Sequence, residues 1–201
     1  MSTKQSNHPL TVENGLMLQA RQLPSPNCDE RPAGVGPELL VIHNISLPPG
    51  EYGGPWIDRL FSNALPADEH PYFASIAGLT VSSHLLIRRD GELVQYVPFH
   101  QRAWHAGVSN YRGRERCNDF SIGIELEGQD EEPFDPIQYR QLAAVIIALE
   151  AAYPGIDRSR MVGHSDIAPG RKTDPGPAFS WPRLLDAIKD GNAENAENAE
   201  V

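Results

Sequence analysis

The stretch of residues 161–177, MVGHSDIAPGRKTDPGP, constrains the fold more than any other part of the sequence. It begins with two apolar residues typical of a short strand, and this strand places His164 at its carboxyl end. A loop broken by Pro and Gly follows and carries Lys172 and Asp174. The closing Pro-Gly-Pro continues neither a helix nor a central strand. An imidazole, an ammonium and a carboxylate on one anchored loop indicate a metal site or a hydrolase site.

A second strand supplies another histidine. Residues 39–43, LLVIH, form a continuous apolar run that predicts a buried central strand ending at His43. If this strand neighbours the strand before His164, both imidazoles emerge at one edge of the sheet. Two His and Asp174 then leave a fourth position open, as in catalytic zinc sites. The alternative, that His43 is a core histidine and His164 an ordinary loop residue, stays open on these residues alone.

The segment 121–127, SIGIELE, alternates between apolar and other residues. This period predicts a strand with Ile122, Ile124 and Leu126 on one face and Ser121, Gly123, Glu125 and Glu127 on the other. Glu125 is either a solvent-facing carboxylate on an edge strand or a general base beside an activated water. Lys172 is either a surface lysine or a donor that stabilises a developing oxyanion.

Two further histidines compete as ligands. His84 lies among apolar residues in SSHLLIRRDG, so we expect it to pack against the sheet. His105 follows Trp104 in WHAG, within a long polar loop over residues 102–118. Such a loop in a compact domain is usually functional, so His105 could bind substrate or orient a partner.

The order of elements predicts an α/β domain with a central mixed sheet flanked by helices. Asp90-Gly91 joins two predicted strands as a hairpin, and residues 136–153 form an amphipathic helix that begins at a proline. We assign residues 15–190 to one domain. We expect residues 1–14 and the repetitive end at 191–201 to be disordered.

Composition excludes several partner classes. The formal net charge of -10 argues against nucleic acid, which requires a basic footprint. No apolar run approaches the ~20 residues of a membrane helix, and the polar N-terminus lacks a signal-peptide core. Two cysteines, Cys28 and Cys117, make no disulfide framework and fit a reducing compartment. We therefore expect a cytoplasmic protein that binds neither nucleic acid nor membrane, and we expect it to be a monomer.

Four segments, taken in order, resemble one known family. They are LLVIHNISLPPGEYGGPWID, HLLIRRDGELVQYVPFHQRAWHAGVS, GRERCNDFSIGIELEG and GHSDIAPGRKTDPGP. The sequence resembles the AmpD-like cytosolic anhydro-N-acetylmuramyl-L-alanine amidases of bacteria, within the zinc amidase and peptidoglycan recognition protein superfamily. The resemblance implies a zinc enzyme that cleaves the amide between anhydro-N-acetylmuramic acid and L-alanine of the stem peptide. The substrates would be the anhydro-muropeptides of cell-wall recycling.

The resemblance also implies roles for individual residues. These roles are zinc ligation by His43, His164 and Asp174, catalysis by Glu125 and Lys172, and substrate contact by Asn44, Trp104 and Arg116. At Thr80 the chain departs from the arginine associated with this branch, which puts one substrate contact in doubt. Two alternatives remain: a non-catalytic peptidoglycan-recognition module, which typically lacks a zinc ligand, and an endolysin-type amidase that acts on intact wall.

Overall fold

The computed structural model describes residues 9–199 and, up to residue 193, their side chains. The strands are β1 (Val12–Glu13), β2 (Leu16–Met17), β3 (Arg21–Gln22), β4 (Cys28–Asp29), β5 (Leu39–Ile45), β6 (Leu85–Ile87), β7 (Leu93–Gln95), β8 (Arg102–Ala103), β9 (Asn110–Tyr111), β10 (Arg114–Glu115), β11 (Ser121–Glu127) and β12 (Met161–Gly163). The helices are α1 (Trp56–Phe61), α2 (Phe73–Ile76), α3 (Pro136–Ala152), α4 (His164–Ile167) and α5 (Trp181–Ala199). Single 3-10 turns lie at Cys117–Asp119 and Arg158–Arg160.

A six-stranded mixed sheet forms the centre of the fold, in the order β12-β5-β11-β6-β7-β3. Neighbouring strands run parallel, except β6 and β7, which form the antiparallel hairpin predicted at Asp90-Gly91. Gly91 adopts φ +90°, a conformation that glycine reaches without strain. The predicted α/β class with a central mixed sheet is confirmed.

The two faces of the sheet differ in what covers them. Leu40 and Ile42 of β5 pack in one apolar cluster with α3 and α5, together with Ile122, Ile124 and Leu126 of β11. Leu39 and Val41 pack in a separate cluster on the other face. Because side chains alternate along a strand, His43 and Glu125 lie on the face opposite these two helices.

Helix α3 is attached to the sheet through its first turn. Pro136 occupies the first helical position, where its missing N–H costs nothing. The buried Gln138 accepts a hydrogen bond from the Asp135 N–H (3.0 Å). Its amide donates to the carbonyl oxygens of Glu127 (3.0 Å) and Ile87 (3.2 Å). The helix is thereby fixed to the ends of β11 and β6.

The N-terminal region differs from the prediction of disorder over residues 1–14. Residues 1–8 lie outside the described part of the chain, whereas Val12 pairs with Met17 across a tight turn. Asn14 and Gly15 adopt φ +52° and +80° in this turn. These are the two residues that most readily form a two-residue hairpin, so the segment is ordered.

The C-terminal end also differs from the prediction. We expected a disordered tail from residue 191, but α5 continues to Ala199. The tail repeats Asn, Ala and Glu without proline, and Ala and Glu are strong helix formers. Because Leu184 and Ile188 anchor the first turns in the core, the helix needs no new nucleation to propagate. Among the described residues, no helix has the length and apolar character needed to cross a bilayer.

Candidate active site

Three predicted ligands meet at the carboxyl edge of the sheet. Strand β12 pairs in parallel with β5, and Gly163 lies opposite Ile42. The expectation that these strands are neighbours is therefore confirmed. His43 Nδ1 and His164 Nδ1 are 3.0 Å apart, and Asp174 Oδ2 lies 3.0 Å from each of them.

The loop that carries Asp174 is held against both strands. The Ser165 N–H donates to the Asp174 carbonyl oxygen (3.0 Å), and the Asn44 amide donates to the Pro175 carbonyl oxygen (3.0 Å). Gly163 allows this approach, because a Cβ there would lie 2.7 Å from Pro175 Cδ. The main chain at the carboxylate is thus fixed by one hydrogen bond from a backbone N–H and one from a side-chain amide.

These residues fit a zinc ion. Two imidazole nitrogens and one carboxylate oxygen, from residues that are buried or nearly so, face a common point. Two His and one carboxylate are the donor set of catalytic zinc sites, which keep a fourth position open for water or substrate. Within the described chain, Glu125 Oε2 is buried without a hydrogen-bond partner. A buried carboxylate oxygen in this state is expected to have a partner that the protein itself does not supply.

The charge states of the cluster suit metal binding. Burial lowers the pKa of His43 to about 4, although Asp174 opposes this shift. Burial alone would raise the pKa of the Asp174 carboxyl, yet hydrogen bonds with His164 and His43 hold it below its ordinary value. A neutral imidazole and an ionised carboxylate are the forms in which these side chains ligate metals.

Glu125 lies beside this cluster on a central strand. Strand β11 is flanked by β5 and β6, and Glu125 is opposite His43 in the register. The side chain is 8% exposed, so the solvent-facing alternative on an edge strand is wrong. Burial, followed by the negative charge of Asp174, raises the pKa of Glu125 well above its ordinary value, and Lys172 opposes the shift. A carboxyl group in such surroundings suits general acid–base chemistry.

Lys172 is exposed at the edge of the same site. Its backbone N–H donates to the Ala168 carbonyl oxygen (3.1 Å), which fixes the main chain of the loop. Among the residues that the structure describes, its ammonium has neither a hydrogen-bond nor an ion-pair partner. Its charge nevertheless affects the pKa values of Glu125 and His43. The ammonium is therefore available to a substrate oxygen near these groups.

The WHAG segment contacts both candidate histidine ligands on the side away from the cluster. The sequence alone left the role of this segment undecided. His43 Nε2 lies 2.9 Å from His105 Nδ1, and His164 Nε2 lies 3.2 Å from the Ala106 carbonyl oxygen. His105 is thus outside the ligand triangle. His84 packs beneath the sheet as expected, where its Nδ1 accepts a hydrogen bond from the Gly123 N–H (3.0 Å). Burial lowers the pKa of His84 to about 3.

A cavity of about 510 Å³ lies elsewhere, lined by residues that include Tyr52, Arg88 and Glu127. Its buried charges already have protein partners. Glu127 pairs with Arg88 (3.1 Å) and also accepts from the Gly53 N–H (2.7 Å). No candidate ligand or catalytic residue lines this cavity, so we do not assign the active site to it.

Comparison with known proteins identifies the family. Residues 33–177 match the N-acetylmuramoyl-L-alanine amidase family, Amidase_2. The chain belongs to this family. The family membership expected from the sequence is thereby confirmed, and so is the assignment of the chain as an amidase.

Individual relatives of this amidase agree with that assignment. The 1,6-anhydro-N-acetylmuramyl-L-alanine amidase AmpD of Salmonella typhimurium (strain SL1344) is 65% identical over 172 residues, which cover 86% of this chain and 91% of that protein. A crystal structure of a selenomethionine derivative of AmpD superposes with a TM-score of 0.87 at 60% identity, covering 89% of this chain and 99% of that chain. The Escherichia coli amidase AmiD, in complex with the substrate anhydro-N-acetylmuramic acid-L-Ala-D-gamma-Glu-L-Lys, has a TM-score of 0.54 at 31% identity. That match covers 89% of this chain and 65% of AmiD.

The three expected substrate contacts of the amidase have different surroundings. The amide nitrogen of Asn44 is engaged by Asp130 Oδ1 (2.7 Å) and the Pro175 carbonyl, so it holds the ligand loop. Trp104 is half-buried, and its Nε1 donates to Asp29 Oδ1 (3.2 Å). The Arg116 side chain is 71% exposed beside Asp119 (3.3 Å). Substrate contact by these residues stays a prediction.

We predict that the purified amidase holds about one zinc ion and that His43→Ala and His164→Ala lose it, because each removes one of three ligands. Elemental analysis after dialysis measures the metal content. His100→Ala is the control, since this exposed histidine lies outside the cluster. Full zinc retention in either ligand variant would contradict this assignment.

Proposed function

We propose that this amidase is a zinc enzyme that hydrolyses the amide bond between anhydro-N-acetylmuramic acid and L-alanine of the stem peptide. The observation that carries the zinc assignment is the triangle of His43, His164 and Asp174, whose candidate ligand atoms are 3.0 Å apart. Beside it, Glu125 Oε2 is buried without a hydrogen-bond partner among the described residues. The substrate assignment is supported by the relatives. AmpD is named for the anhydro-muramyl amide, and AmiD was solved with an anhydro-muropeptide.

Each step of the reaction has a candidate residue. A zinc ion held by the three ligands would supply a Lewis acid and lower the pKa of a water toward ~7. Glu125 takes a proton from the attacking water at its carboxylate. As the carbonyl carbon becomes tetrahedral, the Lys172 ammonium stabilises the negative charge that develops on its oxygen. Glu125 then returns the proton to the nitrogen of L-alanine as the carbon–nitrogen bond breaks.

Recognition of the stem peptide requires positive charge, because the peptide carries carboxylates. Two of the nearby arginines are already engaged. Arg171 donates to the carbonyl oxygens of Ala106 and Val108, and Arg114 pairs with Glu38 (3.1 Å). Arg116 also pairs with Asp119 (3.3 Å), but its side chain is 71% exposed, so it remains our candidate for a peptide carboxylate.

We also propose that the enzyme works in the cytoplasm as a monomer. Both cysteines, Cys28 and Cys117, are free thiols, as a reducing compartment maintains them. The acidic composition supports a small-molecule substrate rather than nucleic acid.

The proposed function predicts which substrate is cleaved and that cleavage requires metal. The protein should release free stem peptide from anhydro-muropeptides, lose this activity after chelation, and regain it with added zinc. Mass spectrometry of the products, with intact sacculi as the parallel substrate, makes the measurement. Cleavage of sacculi alone would favour the endolysin-type alternative. No product from either substrate with zinc-loaded protein would favour a recognition module.

Replacing Glu125 tests the proton transfers. Glu125→Gln should keep zinc and the fold but lower kcat on the order of 10²-fold or more, as for a lost general acid–base group. Glu127→Gln is the matched control, because it changes a buried carboxylate two residues away that pairs with Arg88. We expect the control to unfold at lower denaturant concentration and to keep its turnover. Near-normal kcat in Glu125→Gln would assign the proton transfers to another group.

Replacing Lys172 tests transition-state stabilisation. Lys172→Ala should bind zinc and muropeptide normally but lower kcat by about 10²-fold, because the interaction forms mainly as charge develops. Lys189→Ala on α5 is the control for removal of an exposed lysine. Steady-state kinetics decides the question. A rise in KM with unchanged kcat would mean that Lys172 only holds a substrate carboxylate.

A further inference from the structure

His105 lies directly behind a candidate zinc ligand. His43 presents Nδ1 to the cluster, and its other nitrogen, Nε2, is 2.9 Å from His105 Nδ1. On the far side of the second ring, His105 Nε2 lies 3.0 Å from Ser121 Oγ. The Ser121 hydroxyl is 2.6 Å from the Cys117 carbonyl oxygen. Four groups thus form an unbroken line from the ligand to the main chain.

The Cys117 carbonyl oxygen fixes the donor and acceptor at every hydrogen bond of this chain. The Cys117 carbonyl only accepts, so the Ser121 hydroxyl donates to it and accepts from His105 Nε2–H. A neutral His105 then has an unprotonated Nδ1, which accepts a hydrogen bond from His43 Nε2–H. His43 is left with a lone pair on Nδ1, the atom that faces His164 and Asp174. The hydrogen-bond chain therefore favours the Nε2-protonated tautomer of His43, whose Nδ1 can bind a metal.

The His105 ring fits against β11 because Gly123 has no side chain. A Cβ on Gly123 would lie 2.5 Å from both Cγ and Nδ1 of His105, closer than side-chain atoms approach one another. Gly123 lies between Ser121 and Glu125 on the same face of the strand, so the imidazole occupies the place of the missing side chain. The Asn118 side chain holds the loop above, accepting from the N–H groups of His105 (3.2 Å) and Ala106 (2.7 Å).

We propose that His105 is a positioning residue that holds His43 in its Nε2-protonated form and orientation for zinc, with Ser121 and Gly123 maintaining His105. This inference rests on the proposed zinc site and adds to it a support that contacts neither metal nor substrate. Groups that orient a ligating histidine typically contribute 10–100-fold to metal affinity.

Zinc affinity of the full-length protein, measured by competition with a chromophoric chelator at one fixed pH, tests the proposal. His105→Leu removes the acceptor for His43 and should bind zinc about 10–100-fold more weakly. His105→Asn should recover much of this loss, because its side-chain oxygen takes the place of Nδ1. Gly123→Ala should weaken binding by a similar factor although it changes no ligand and no hydrogen-bonding side chain.

Gly128→Ala is the matched control. A Cβ there would lie 2.4 Å from the ring of Phe134, so it makes a comparable clash with an aromatic core residue away from the ligands. It should lower stability and keep the zinc affinity. Long-range nitrogen–proton NMR of the zinc-loaded wild type reports the tautomers directly, and both His43 and His105 should carry their protons on Nε2.

The possible outcomes separate this inference from the zinc assignment. If the wild type binds no zinc, the zinc site itself is wrong. If the wild type binds zinc while His105→Leu and Gly123→Ala bind it as tightly, the role of His105 is wrong. If His105→Leu does not fold, Gly123→Ala and the NMR tautomers decide, and a proton on His105 Nδ1 would overturn the proposal.

Discussion

The parallel pairing of β5 with β11 on one side and β12 on the other determines where the candidate catalytic groups lie. Parallel strands end at the same edge of a sheet, so His43 and the start of α4 come together there. The register sets Glu125 beside His43, and the helices α3 and α5 take the opposite face. A slip of one residue would turn Glu125 into the apolar core. The hydrophobic packing against these two helices therefore also specifies the polar face.

The buried carboxyl group of Glu125 and the partly buried one of Asp174 have opposite pKa shifts, and the cause lies in their neighbours. Asp174 has hydrogen bonds with His43 and His164, which hold its pKa low despite burial. Glu125 lacks such support at Oε2 within the described structure, so burial and the charge of Asp174 raise its pKa. Environments that separate the pKa values of neighbouring acids assign them different tasks. Here they favour Asp174 as an ionised ligand and Glu125 as the group that exchanges a proton.

Local patterns predicted the strands of this site but not everything that surrounds them. The apolar run before His43 and the alternation around Glu125 both indicate strands. A strand that is buried on both faces is continuously apolar, and a strand with one apolar face alternates with period two. The same alternation does not distinguish an edge strand from a central one. Glu125 is flanked by β5 and β6, and the charges of Asp174 and Lys172 act on it from a loop distant in sequence. For His105 the sequence left substrate binding and orientation of a partner open, since the choice depends on how residues 102–118 fold across β11.

The predictions of disorder near the two ends of the chain were wrong for a different physical reason. Asn14-Gly15 is a strong local turn signal, and it orders a segment whose polar composition by itself is typical of disorder. The repeat of Asn, Ala and Glu after residue 191 buries little by itself, which is typical of disorder. Attached to an anchored helix, however, each added residue only extends existing structure. Composition indicates whether a segment can fold alone, not whether a folded neighbour orders it.

The carbonyl group of Ala106 connects the two loops of the site by hydrogen bonds. It lies 3.2 Å from His164 Nε2 and also accepts a hydrogen bond from Arg171 (2.7 Å), in the loop that leads to Lys172 and Asp174. One oxygen thus contacts a candidate ligand and joins the WHAG segment to the loop of Lys172 and Asp174. The preceding residue, His105, contacts His43, the other candidate ligand (2.9 Å). Both histidines of the triangle therefore contact adjacent residues of a single loop, so the fold of that loop bears on the geometry of both candidate ligands.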